Sequence, residues 1–303
     1  MNPMPRPLAG LSVGLSISES DDSAQRGFPK WQVNRVTLQV TAALLGQGVG
    51  VVFGHDWRDD GVMEAVYSFA RQMQPPDPIS PEEGHRAGQP LLVNLLPWPD
   101  EPTLSKDERE RLGSTLRVEQ AGLPRELLDF APRVRGSADG LHYAYLRARG
   151  LTHLRHRLDE FCQARFCLGG RRGGSQGRFQ GVIEEALLSV QERRPLYLAG
   201  LLGGATRQVI DAIEGQPMPE DFCRPVQMRE LFASPPWREN DPATLPDREA
   251  DPKQVWMTFR ETGVKDLAEQ NRLDEKENAE LFHTPVLDRA IQLVLTGLAR
   301  LKR

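Results

Sequence analysis

The feature that most constrains this chain is a run of glycines set between an apolar strand and a helix. Residues 166–185 read FCLGGRRGGSQGRFQGVIEE. Gly169, Gly170, Gly173, Gly174, Gly177 and Gly181 carry the chain out of the strand and into the helix. Glycines in such a turn let the backbone approach a ligand and aim its amides at it. A helix starting near Gly181 adds the positive end of its dipole. Arg171, Arg172 and Arg178 put cations suited to phosphate or carboxylate in the same loop. The loop is not of the Walker kind, because no Gly-Lys-Ser/Thr follows. It also lies too late in the chain for a first-strand dinucleotide fingerprint. A solvated surface loop is the plain alternative.

Around this loop the periodicity alternates between strand and helix. Apolar runs at 11–18, 49–53, 90–96, 164–168 and 195–199 read as buried strands. Between them, helices are expected over 31–45, from Gly61 onward, over 141–160, 181–192 and 205–213. That order predicts an α/β fold: a Rossmann-like parallel sheet flanked by helices. Residues 97–140 are polar and read as a mostly helical insertion, giving a nucleotide-binding domain over 1–214. The remainder, 215–303, begins with a proline-rich stretch from Pro217 to Pro252 that still holds Phe222, Phe232 and Trp237. It should wrap irregularly and then close in a helix that Thr284 caps and Pro285 opens. That helix, with an apolar stripe at Ile291, Val294, Leu295, Leu298 and Leu301, would be a lid on the sheet or a dimer contact.

Composition narrows the partners. A formal charge of -4 in 303 residues argues against a surface built for nucleic acid backbone. No apolar stretch approaches the roughly 18 residues of a membrane helix, and Met1 to Pro7 lacks a signal-peptide core. Cys162, Cys167 and Cys223 are too few for a disulfide framework, and the first two have no second pair for zinc. The expectation is a cytoplasmic protein with free thiols, no metal and no bound cofactor.

Three motifs carry a family resemblance. Leu168-Gly169-Gly170 followed by Gly181-Val182-Ile183-Glu184-Glu185 resembles an expanded PGG-x-G-T-x-x-E motif. The strand ending at Gly54, followed by Gly61-Val62-Met63, resembles a strand ending in Gly-Gly and then a Gly-Leu-Met helix start. Leu154-Arg155-His156-Arg157 resembles a Met-and-Arg helix motif. Together, over about residues 8–213, they are similar to the SLOG superfamily, named for the DNA-processing protein Smf/DprA and the LOG cytokinin-activating phosphoribohydrolases. The proline and threonine of the LOG motif are absent and the loop is longer. The chain therefore looks closer to divergent members in bacterial defence and nucleotide signalling, which sense or process nucleotide-derived and NAD-related molecules.

The resemblance places Glu185 at the family's catalytic glutamate, facing inward, with Glu184 turned away. A carboxylate there could stabilise an oxocarbenium-like transition state or activate water. An acidic first turn that complements the dipole is equally consistent. Arg155 and Arg157 could clamp a phosphate or simply form a basic solvated face. Ser16, Ser18, Glu19 and Ser20 end the first strand, where parallel sheets place ligands, and Gly54, His55 and Asp56 end the second on the same rim. Trp31, Trp57 and Trp98 could stack on a base but more often serve as partial core. Met63 reads as core.

Two classes of function follow. The first is a sensor or effector module for a nucleotide or an NAD- or ADP-ribose-derived ligand, homo-oligomeric and working with partner proteins in a defence or stress response. Its expected ligand contacts are Ser16, Ser18, Gly54, Gly61, Gly169, Gly170, Arg171, Arg172, Gly173, Gly174, Arg178 and Gly181. The second is an N-glycosidase, phosphoribohydrolase- or NAD-hydrolase-like, with Glu185 and Arg155 as its catalytic pair. A non-catalytic interaction protein on the same fold is a third reading.

Overall fold

A computed structural model describes residues 6–54, 63–73, 91–100, 107, 115–130, 140–174, 176–222 and 251–302. Six strands form one all-parallel sheet: β1 (Ser12–Ser18), β2 (Gly50–Gly54), β3 (Leu92–Pro97), β4 (Leu116–Gly122), β5 (Ala164–Gly169) and β6 (Leu196–Ala199). Their order across the sheet is β4-β3-β2-β1-β5-β6. The chain therefore builds outward from β1 on one side, then returns to place β5 on the other. Val13 to Ser18 pair in register with Ala164 to Gly169. That β1/β5 junction is the switch point at which open parallel sheets leave a crevice beyond their carboxyl ends.

β4 is a strand that the sequence did not lead us to expect within 97–140. Besides it, the described part of that segment holds one helical residue, Asp107, and one 3-10 turn, Arg125–Leu127. The strand escapes a hydrophobicity reading because it is an edge: Leu116 is buried, while Arg117 and Glu119 pair with each other at 2.5 Å in solvent. The inner strands are covered on both faces, so they read as continuous apolar runs.

Helices α1 (Lys30–Gly46) and α2 (Met63–Met73) cover one face, where Val36, Val40 and Leu44 join Val13, Leu15, Val51 and Phe53 in one core. The opposite face has two parts. Helix α3 (Leu141–Asp159) lays Leu151, Leu154 and Leu158 on Val52, Val93 and Leu95. Helices α4 (Gly181–Gln191) and α5 (Gly204–Ile213) pack Ile183, Leu187 and Val209 on Cys167, Leu196 and Leu198.

The chain after 250 wraps around the β6 edge. Helix α6 (Pro252–Asn271) adds Val255, Trp256 and Phe259 to the α4/α5 core, with a break in helical backbone at Gly263. Helix α7 (Glu275–His283) follows an Asp274/Glu277 capping box. Helix α8 (Leu287–Leu301) returns to the α1 face with Leu293, Val294 and Leu298. It begins after Val286, so Pro285 precedes the helix instead of opening it, and Thr284 Oγ1 accepts from the Val286 amide at 3.2 Å. Asn271 donates to the Leu196 carbonyl at 2.9 Å, and its own carbonyl accepts from the Tyr197 hydroxyl at 2.9 Å. The tail thus occupies polar groups along a strand edge that would otherwise be open to pairing.

Candidate functional site

Strand alternation decides what lies under α3 and α4. In β5, Ala164, Phe166 and Leu168 face the α1 core, so Arg165 and Cys167 face the other way. In β1 the same rule turns Gly14, Ser16 and Ser18 to that side. A side chain at Gly14 would lie 3.2 Å from the Arg165 Nη1, so the glycine makes room for the guanidinium.

Arg165 is the largest fully buried side chain, 1% exposed. It donates to Glu185 at 2.8 Å, to the Ser16 hydroxyl at 3.1 Å, and to Asp159 at the end of α3. Burial opposes its charge, but the carboxylates of Glu185 and Asp159 outweigh that and raise its pKa above the ordinary arginine value. Ser16 also donates to Glu185. Beside this group, Arg155 of α3 donates to Glu184, which also accepts from the Thr152 hydroxyl. Glu184 is 3% exposed. It therefore does not turn away as expected, because α3 supplies Arg155 and Thr152 to it while β5 supplies Arg165 to Glu185. Burial pushes the Cys167 thiol up to about 12, leaving it protonated and inert.

Above this polar core the Gly-rich loop and the start of α4 close a cavity of about 280 Å³. Ser16 and Ser18 from β1, Gly54 from β2, Arg155 from α3 and Glu185 from α4 line its sides. Gly170, Arg171, Gly173, Gly174, Gly181 and Val182 form the wall at the positive end of α4. Gly170 has φ 91°, and a Cβ there would lie 2.6 Å from Val182 Cγ2. Gly169 lies beneath the wall, at φ 68°, with a Cβ position 2.3 Å from the Ser18 carbonyl oxygen. Neither position accepts a side chain, so the loop hugs the ends of β1 and α4.

The three loop arginines separate in space. Arg171 is exposed at the mouth and makes no ion pair among the described residues. Arg172 turns away: its guanidinium pairs with Asp22 at 3.0 Å and its amide donates to Asp21 at 2.8 Å. Arg178 stacks over the Phe179 ring at 5.2 Å. Sequence proximity to the glycines could not reveal this, because the acidic partners come from the β1–α1 loop. Partial burial works against the Asp22 charge, but the Arg26 hydrogen bond, Arg172 and the Gly204 amide together hold its carboxyl below the usual range.

Other candidates fall away from the cavity. Arg157 pairs with Glu160 at the exposed end of α3. Trp98 is buried in a small core, 5.7 Å from the Tyr143 ring, and Trp31 is 57% exposed on α1. Ser20 donates to the Leu202 carbonyl at 2.6 Å. Gly61, His55, Asp56 and Trp57 lie outside the described residues, as does the side chain of Met63. The sequence reading missed Arg165, Asp159 and Thr152. For Arg165 a signal existed, a cation inside an otherwise apolar strand. For the other two, placement depends on α3 crossing the sheet. Among the described residues no cluster of three or more His, Cys, Asp or Glu could hold a metal, and no helix is long and apolar enough to cross a membrane.

An all-parallel sheet with helices on both faces and a Gly-rich crevice at its switch point defines a Rossmann-like α/β protein. The family is also identified directly. The SLOG cluster2 family model matches residues 7–281, and the chain belongs to that family. Its membership points to a nucleotide-related function. Neither the curated proteins nor the solved structures contain a match to the chain.

Proposed function

We propose that the cavity binds a nucleotide or an NAD- or ADP-ribose-derived ligand, and that the protein is a sensor or effector component of a bacterial defence or stress-signalling system. The observation that carries the binding reading is the cavity at the β1/β5 switch point, where the start of α4, the loop glycines and the exposed Arg171 converge. A phosphate would sit against Arg171 and the α4 amides, with the nucleoside directed toward Ser16 and Glu185.

Binding is favoured over cleavage because Arg155 is held by Glu184 and the proline and threonine of the LOG motif are absent. One Glu185 oxygen accepts from Ser16 and Arg165, and the other makes no hydrogen bond among the described residues. N-glycosidase activity is the second reading, supported by the position of Glu185 on the cavity wall.

Thermal shift with NAD, nucleoside monophosphates and cyclic nucleotides, followed by chromatography for released base, tests both. A ligand at 100 times its Kd should add about 2.7 kcal/mol. A shift without base release, lost in Arg171→Ala, is the expected result. Base release that disappears in Glu185→Ala would overturn the sensor reading, and the absence of any shift would overturn both.

A further inference from the structure

Among the described residues, the charges beneath the cavity do not balance. Arg155 and Arg165 supply two guanidiniums, and Asp159, Glu184 and the partly exposed Glu185 supply three carboxylates. Asp159 and Glu184 are the two most enclosed acids, at 4% and 3% exposure, and each is taken up by a single arginine. Glu185 is left as the surplus. Its Oε2 accepts from Ser16 and Arg165, while its Oε1 has only the Arg155 Nε, 3.8 Å away and beyond hydrogen-bond length. That second oxygen belongs to a side chain lining the cavity. Arg171 and the start of α4 line the same cavity, and Arg171 makes no ion pair among the described residues. The cavity therefore presents both signs of charge to a ligand.

Resting on the nucleotide-binding reading, we infer that the ligand is a zwitterionic ribotide: phosphate at Arg171 and the α4 amides, and a positively charged ring against Glu185. The Glu185 side chain is 16% exposed, and a ligand that covered it without bringing a cation would leave a surplus carboxylate desolvated, whereas such a ring would complete the pairing. A neutral base could offer Glu185 hydrogen bonds but no charge, and an anionic base would be repelled.

Nicotinamide mononucleotide and its reduced form provide the probe, because they share phosphate and ribose and differ by one unit of ring charge. Opposite charges a few ångströms apart near a protein surface support a preference of at least about tenfold in Kd for the oxidised form. Calorimetry on the wild-type protein reads this ratio directly, so a variant that fails to fold removes nothing from it. Glu185→Gln should collapse the ratio toward one, and Arg171→Ala should weaken both forms by the same factor. Equal Kd values, tighter binding of the reduced form, or a ratio that survives Glu185→Gln would overturn the inference. Binding of adenosine monophosphate without either pyridine ribotide would overturn it as well, leaving the nucleotide reading in place. Failure of every nucleotide to bind would remove both.

Discussion

Replacing Arg165 by methionine tests the buried network most directly. Methionine roughly matches the length of the side chain without its charge or its donors. Asp159, itself buried, would lose its one cationic partner among the described residues, and Glu185 would keep Ser16 and the more distant Arg155. Removing one partner of a buried pair destabilises by about 3–5 kcal/mol, because the other charge is left uncompensated. Asp159 sets that figure here, since Glu185 retains a hydrogen bond and some contact with the cavity. At about 2–4 °C per kcal/mol for large domains, the melting temperature should fall by roughly 6–20 °C. Urea denaturation of Arg165→Met, Asp159→Asn and the double variant gives the coupling. The double variant should be more stable than the sum of the single losses implies, by about 1 kcal/mol or more. A loss below about 1 kcal/mol in Arg165→Met, or strict additivity, would show that the network does not hold α3 to β5.

Two further expectations concern the loops. Gly170→Ala places a methyl against Val182 at a positive φ, so it should lower stability by at least about 1–3 kcal/mol and remove the nucleotide-induced thermal shift; an unchanged shift would mean the wall is not the ligand's seat. Asp22→Asn should destabilise at pH 7 by loosening Arg172 and the Gly204 amide. The Asp22 carboxyl is lowered in the folded state, so its stabilisation is present above the ordinary aspartate value near 4 and lost as pH falls through the folded value. Wild type and variant should thus melt apart at pH 7 and converge below about pH 4, and a gap persisting into acid would refute the assignment.

How much of this was legible in the sequence depends on the range of the interactions. The alternation of apolar runs and amphipathic helices fixed five strands: the four inner ones are covered on both faces and must be largely apolar, and the edge strand β6 is buried as well, beneath the tail. The edge strand β4 was hidden, since solvent lets Arg117 and Glu119 stand where a core strand would need valines. The tail's role was hidden too, because an apolar stripe says that α8 is buried without saying against what.

The Gly-rich turn and its helix were determined by the sequence alone: six glycines between two apolar elements admit few other conformations, and the helix start follows from Gly181. Which of its arginines faces a ligand was decided only by tertiary structure. Arg171, Arg172 and Arg178 are equivalent in composition, but Asp21 and Asp22, some 150 residues earlier, capture Arg172, and the Phe179 ring takes Arg178. The same holds for the glutamates, where α3 supplies Arg155 and β5 supplies Arg165 from outside the motif. Local backbone preference is written in neighbouring residues, whereas the compensation of charge is settled between segments distant in the chain. That is why the loop could be read from its glycines while its electrostatics waited for the fold.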